Sequence, residues 1–201
     1  MTHTQANTIA QSLVERMRPF CERIEVAGSL RRSVPEVKDI ELVVIPKWEE
    51  REVKAGLFDE VETIRVNTLF EWATGDAAKD ALTWIKPATS DIVPWLPKAD
   101  GRYWRAIVPG ERIKVDVFIC TPHNWGAIYL VRTGSREFVR QVAARAKQIG
   151  CNLDDGSFTW RGAPRDTPEE KDVFRLLRIK PVKPSQRRDA RDVVIVPGRG
   201  L

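Results

Sequence analysis

The chain has 201 residues, 42% hydrophobic and 30% charged, which suits one globular domain or two small lobes sharing a core and is too apolar for disorder. The formal charge is +5 and is sorted along the chain: residues 178–201 hold seven basic and two acidic residues, and residues 48–80 hold four basic and nine acidic ones. No apolar run approaches the ~20 residues of a membrane helix, and the opening MTHTQANTIAQSL lacks the basic and apolar regions of a secretion signal, so no membrane partner and a cytoplasmic setting are expected.

Residues 8–20 predict a helix, with Ile9, Leu13, Met17 and Phe20 at helical spacing and Asn7 or Thr8 as cap. ERIEVAG reads as a short strand ending at Gly28, SLRRSVPEVK as a turn-rich link, and DIELVVIP as a β-branched strand closed by Pro46. LFDEVETIRV holds a strand. NTLFEWATGDAAKDALTWI has helical spacing broken at Gly75, and KPATSDIVPWLPKADG reads as loop. RYWRAIV and RIKVDVFI flank PGE as a hairpin. GAIYLVRTGSREFVRQVAARAKQIG predicts two helices broken at TGS, with Gly150 as the stop. CNLDDGSFTWRGAPR predicts a hairpin turned at Asp155-Gly156. Thr167 then caps a helix with Pro168 at its first position, running to about Leu177, and the remainder is Pro-rich and basic.

The informative feature is a pair of acids on one strand. Asp39 and Glu41 lie two apart, so both leave the same face while Ile40 and Leu42 face a core. Asp116, between Val115 and Val117, is a third acid in a β run. Charged groups in such strands are costly unless neutralised, and a divalent cation held by oxygen ligands would do so. Solvent-facing acids on a half-exposed sheet have the same pattern. With two His and three scattered Cys, any metal would have to be held by carboxylates, and no disulfide framework is present. Gly28-Ser29 follows a strand and precedes Arg31-Arg32, a turn suited to an anion. Most of the seven tryptophans read as core; Trp160, on the last hairpin, is the candidate for stacking on a base.

GSLRRSVPEVKDIELVV resembles the palm motif of the nucleotidyltransferase superfamily, and in detail that of DNA polymerase beta and the other family X polymerases. RIKVDVFI resembles the strand of that family's third acid, RTGSREF its palm-to-thumb turn, and LDDGSF, TPEEKDVFRLL and KPSQR its thumb. The resemblance covers residues 22–46, 102–140 and 151–188. It implies an α+β fold: a palm over residues 1–130, its mixed sheet carrying helices on one face and residues 47–100 as an insertion or decoration. A small α+β thumb over 131–188 and a basic tail over 189–201 follow. It implies Asp39, Glu41 and Asp116 as catalytic ligands of two Mg2+ ions, with Mn2+ as substitute. Gly28, Ser29, Arg32, Lys38, Arg132, Gly134 and Ser135 would contact nucleotide. Lys114, Arg136 and Arg140 would contact nucleic acid.

The implied activity is addition of deoxynucleotides from dNTP to a primer 3′-hydroxyl on primer–template or gapped DNA, in short gap filling, by a monomer. Departures from the family pattern are Glu41 for Asp, Lys38 and Ser33 for glycines, Val131-Arg132 for the aromatic pair that gates the sugar, and Val139 for a minor-groove Asn. They leave open transfer to RNA or another acceptor, and template-independent terminal transfer. With 27 residues before Gly28, the family's lyase and helix-hairpin-helix domains are expected to be absent, giving a palm-plus-thumb form.

Overall fold

The computed structural model describes residues 1–55, 60–87, 94–154 and 156–197. The sequence-predicted turn at Asp155 lies outside these residues, as do parts of 57–66 and of the 86–101 loop. The fold is α+β. Helix α1 (His3–Met17) begins three turns' worth of residues on one apolar stripe, with Ala6, Ala10, Leu13, Val14 and Met17 buried. Its cap is Thr2 in a capping box with Gln5, earlier than the Asn7 or Thr8 expected, because polar residues of the first turn continue the helix backwards. Strand β1 (Cys21–Val26) leads into a one-turn helix α2 (Gly28–Arg31), where a turn-rich link was expected.

Strand β2 (Asp39–Pro46) pairs antiparallel with β1 and parallel with β7 (Lys114–Ile119); β6 (Tyr103–Ile107) and β5 (Thr83–Ile85) extend the sheet antiparallel, in the order β1-β2-β7-β6-β5. The β6–β7 hairpin is as expected, with a longer connection over residues 108–113 closed by the Val108 N–H donating to the Ile113 carbonyl at 3.0 Å. Strands β3 (Trp48–Ala55) and β4 (Glu60–Asn67) pair antiparallel in a two-stranded sheet of their own; the acidic β3 run was not anticipated as strand. Helices α3 (Thr68–Thr74) and α4 (Asp76–Lys79) break at Gly75 as predicted.

One sheet face is a core. Ile40, Leu42 and Val44 of β2, Val115 and Val117 of β7, and Trp104 and Ala106 of β6 pack with α1, Leu69, Trp72 and Trp84. Residues 68–85 therefore build the main core rather than decorate it. The other face is covered at the far ends of β2 and β7, where Val43, Ile45, Phe118 and Cys120 meet Trp125, Ile128 and Tyr129 of α5 (Trp125–Thr133).

The second face of α5 meets a separate cluster. Ala127 and Leu130 pack with Phe138, Val142 and Ala146 of α6 (Arg136–Gln148), a small three-stranded sheet, and Val173, Phe174 and Leu177 of α7 (Glu170–Leu177). The small sheet comprises β8 (Cys151–Asp154), β9 (Ser157–Trp160) and β10 (Ala163–Pro164). Glu169 rather than Thr167 caps α7, through a box with Asp172, because Thr167 is buried and its N–H and carbonyl bond His123 and Gly126. The basic end folds back: Ile179 bridges Ile195, and Lys180 N–H donates to the Val194 carbonyl at 2.8 Å. No helix among the described residues is long and apolar enough to cross a membrane.

Candidate active site

Strand register aligns the site in rows. Glu41 of β2, Asp116 of β7 and Arg105 of β6 lie directly across from one another; Asp39 and Lys114 form the neighbouring row, and Val43, Phe118 and Tyr103 the next. All occupy the face opposite the core, because side chains alternate along each strand. The three acids of the sequence pattern thus share one face. Glu41 lies against the α2 turn: Gly28 has φ of 62° and a Cβ there would overlap the Glu41 carboxylate, so only glycine admits this approach. Ser33 also takes a left-handed φ of 59°, so the serine carries backbone strain.

Desolvation raises the carboxyls of Asp39 and Glu41. Repulsion from Asp116 adds to the shift at Asp39, and repulsion from Asp39 and Asp116 adds to that at Glu41, which is pushed up to about 7. Neither acid has a side-chain hydrogen bond or ion pair among the described residues. Beside them the Ser29 hydroxyl is buried and unpartnered. Buried groups in this condition fit a bound cation and its anion. Asp116 differs: Arg105 and Tyr103 already engage it. Its Oδ1 accepts from Arg105 Nε at 2.6 Å and the Tyr103 hydroxyl at 2.8 Å, and its Oδ2 accepts from Arg105 Nη2 at 2.8 Å. Among the described residues, no three His, Cys, Asp or Glu side chains are gathered tightly enough to hold a metal ion together. Asp39 and Glu41 are a donor pair of the kind that fits a divalent cation, whereas Asp116 is held by Arg105 and Tyr103.

The remaining sequence-derived residues divide into exposed and engaged groups. Arg136 and Arg140 are exposed one turn apart on α6, and Lys38 is exposed beside Asp39. Lys114 lies half-buried next to Asp39. Arg132 stacks over Phe118 at 3.9 Å. Arg32 donates to the carbonyls of Thr133 at 2.7 Å and Gly134 at 3.2 Å. Gly134 N–H bonds the Leu130 carbonyl, Ser135 N–H bonds the Arg187 carbonyl, and the Ser135 hydroxyl caps α6 by accepting from Phe138 N–H at 3.2 Å. The T-G-S turn is therefore fixed by its own bonds and by Arg32.

Sequence reasoning missed Arg105 and Tyr103. Their signal is the alternation of Tyr103, Trp104, Arg105 and Ala106, which places them on the acid face once the hairpin register is known. It also missed an ion-pair knot. Glu170 accepts bidentate bonds from both Arg31 and Arg187, at 2.6–3.0 Å, and Arg187 is 2% exposed. Arg31 also lies over the Tyr129 ring, and Arg23 pairs with Glu169 while lying over Trp125.

Residues 128–188 match the family described as DNA polymerase beta thumb. No curated protein matches the sequence. The matched segment begins within α5 and spans α6, the small sheet, α7 and the turn carrying Arg187. Residues 128–188 are thus similar to a thumb of the DNA polymerase beta type, and they pack against the end of a five-stranded mixed sheet in an α+β chain.

Proposed function

We propose that the chain is a nucleotidyltransferase of family X type, a DNA polymerase that extends a primer 3′-hydroxyl with deoxynucleotides and fills short gaps. The observation that carries this reading is the Arg32 latch. Arg32 comes from the turn beside Asp39 and Glu41 and bonds Thr133 and Gly134 of the matched thumb segment, so desolvated acids and thumb turn meet at one place. In this reading the palm comprises 1–130, the thumb 131–188 and the tail 189–201. Asp39 and Glu41, with Asp116, would hold Mg2+ or Mn2+, which supplies Lewis-acid neutralisation of the triphosphate and acidifies the primer hydroxyl.

The protein's own residues position the substrates. The Ser29 hydroxyl, lacking a partner, donates to a phosphate oxygen of the dNTP. Lys114 neutralises the primer phosphate beside the attacking hydroxyl. Arg136 and Arg140 bind DNA from the exposed face of α6. The floor under the sugar is the T-G-S turn, held rigid by Arg32. The two residues before Thr133 are Val131 and Arg132, the latter stacked on Phe118, so neither offers an aromatic side chain to exclude a 2′-hydroxyl, which favours the second reading, transfer to RNA ends or from ribonucleotides.

Primer extension on a one-nucleotide gap tests the proposal. Wild-type protein with Mg2+ or Mn2+ should extend the primer, and Asp39→Asn should lower the rate by about 10²–10³-fold or more. Equal rates, or equal absence of product, sink the polymerase reading. A label transferred to RNA but not DNA selects the second one.

A further inference from the structure

The acid face brings its own cation. Asp116 is 5% exposed and is neutralised by a guanidinium that meets both its oxygens, with the Tyr103 hydroxyl as a further donor. Asp39 and Glu41, sharing the same face, have no counter-ion bonded to them among the described residues. The pairing is lopsided in exposure: the side chain of Asp116 keeps 7% of its surface and that of Arg105 keeps 23%. Arg105 stands directly opposite Asp116 in the β6–β7 ladder. Its long side chain therefore reaches the carboxylate across one strand spacing and has an open side towards solvent.

We infer that Arg105 is a resident counter-ion that competes with a divalent cation for Asp116, so that the cation site masks itself until Arg105 swings away. This rests on the nucleotidyl-transfer reading of the same face. The physical reason is charge. A carboxylate already paired bidentately has little negative potential left for a dication, and a dication and a guanidinium repel each other across one carboxylate. The opposite role has the opposite sign. A donor that merely orients a metal ligand strengthens the site, and its loss weakens metal binding by about 10–100-fold.

Mn2+ titration of the full chain by calorimetry, without nucleotide or DNA, reads that sign. Arg105→Gln should bind Mn2+ about tenfold tighter than wild type, or more. Tyr103→Phe, which removes one neutral donor and keeps the ion pair, should also bind more tightly, by less. Unchanged or weaker binding by Arg105→Gln overturns the inference. If Arg105→Gln loses its fold by circular dichroism, Tyr103→Phe decides in the same way: tighter supports competition, unchanged or weaker overturns it. Asp39→Asn separates this from the parent reading. Wild-type binding that does not depend on Asp39, or no binding in any variant, removes the nucleotidyl-transfer reading and the competition with it.

Discussion

Glu41 bears a burial penalty that a bound cation would relieve. Its carboxyl is raised from 4.5 to about 7, chiefly by desolvation. Between those values the unfolded chain releases the proton and the folded chain keeps it, so this group's contribution to stability falls as pH rises and is lost above about 7. Without divalent cation, Glu41→Gln should therefore be more stable than wild type near pH ~8, by on the order of 1–3 kcal/mol, and match it near pH ~4; urea unfolding at both pH values measures this. The acids were legible because alternation in DIELVV and KVDVFI leaves polar atoms on one face of otherwise apolar strands. Arg105 was not, since its meaning depends on a register set by the connection over residues 108–113. Arg32 was read as a phosphate contact from its position; its bonds to Thr133 and Gly134 are non-local and leave no pattern in the chain.

At the scale of elements, α5 holds the molecule together. It is buried on both sides, against the main sheet through Ile128 and Tyr129 and against the thumb core through Ala127 and Leu130. Gly126 lets the backbone before α7 lie directly on it: its N–H donates to the Thr167 carbonyl at 2.6 Å, and a Cβ would overlap the Glu169 backbone. Gly126→Ala should destabilise the fold by about 1–3 kcal/mol or more, because backbone rather than a movable side chain must yield; thermal unfolding checks it. Glu170→Ala should cost about 3–5 kcal/mol, since it strands Arg31 and buried Arg187 together. The two helices around TGS and the pairing of β8 with β9 were legible from local periodicity. The α7 cap was displaced from Thr167 to Glu169 by tertiary packing, which a capping signature in sequence does not contain.

For the whole molecule, the sorting of charge acquires a different meaning. The basic end supplies Arg187 to a buried knot and strand-like backbone to Ile179 and Lys180, so part of its charge is structural. The exposed cations facing outward from the thumb include Arg136 and Arg140. If DNA passes along α6, Arg136→Ala with Arg140→Ala should weaken duplex binding and flatten the plot of log affinity against log salt by about 2. Melting temperature should not change. An unchanged slope places the duplex elsewhere. Removal of residues 186–201 should instead lower the melting temperature through loss of the Arg187 pair.

The ion-pair knot also sets an order of assembly. Arg23 waits for a partner 146 residues later and Arg31 for one 139 residues later. During synthesis the acid-bearing strand therefore emerges long before the residues that steady the turn beside it, and contacts of such sequence separation form late. A chain interrupted before Glu169 and Glu170 leaves both arginines without their carboxylates, lying only over Trp125 and Tyr129, which the main sheet holds in place. Such a chain thus displays guanidinium charge that the finished molecule has neutralised.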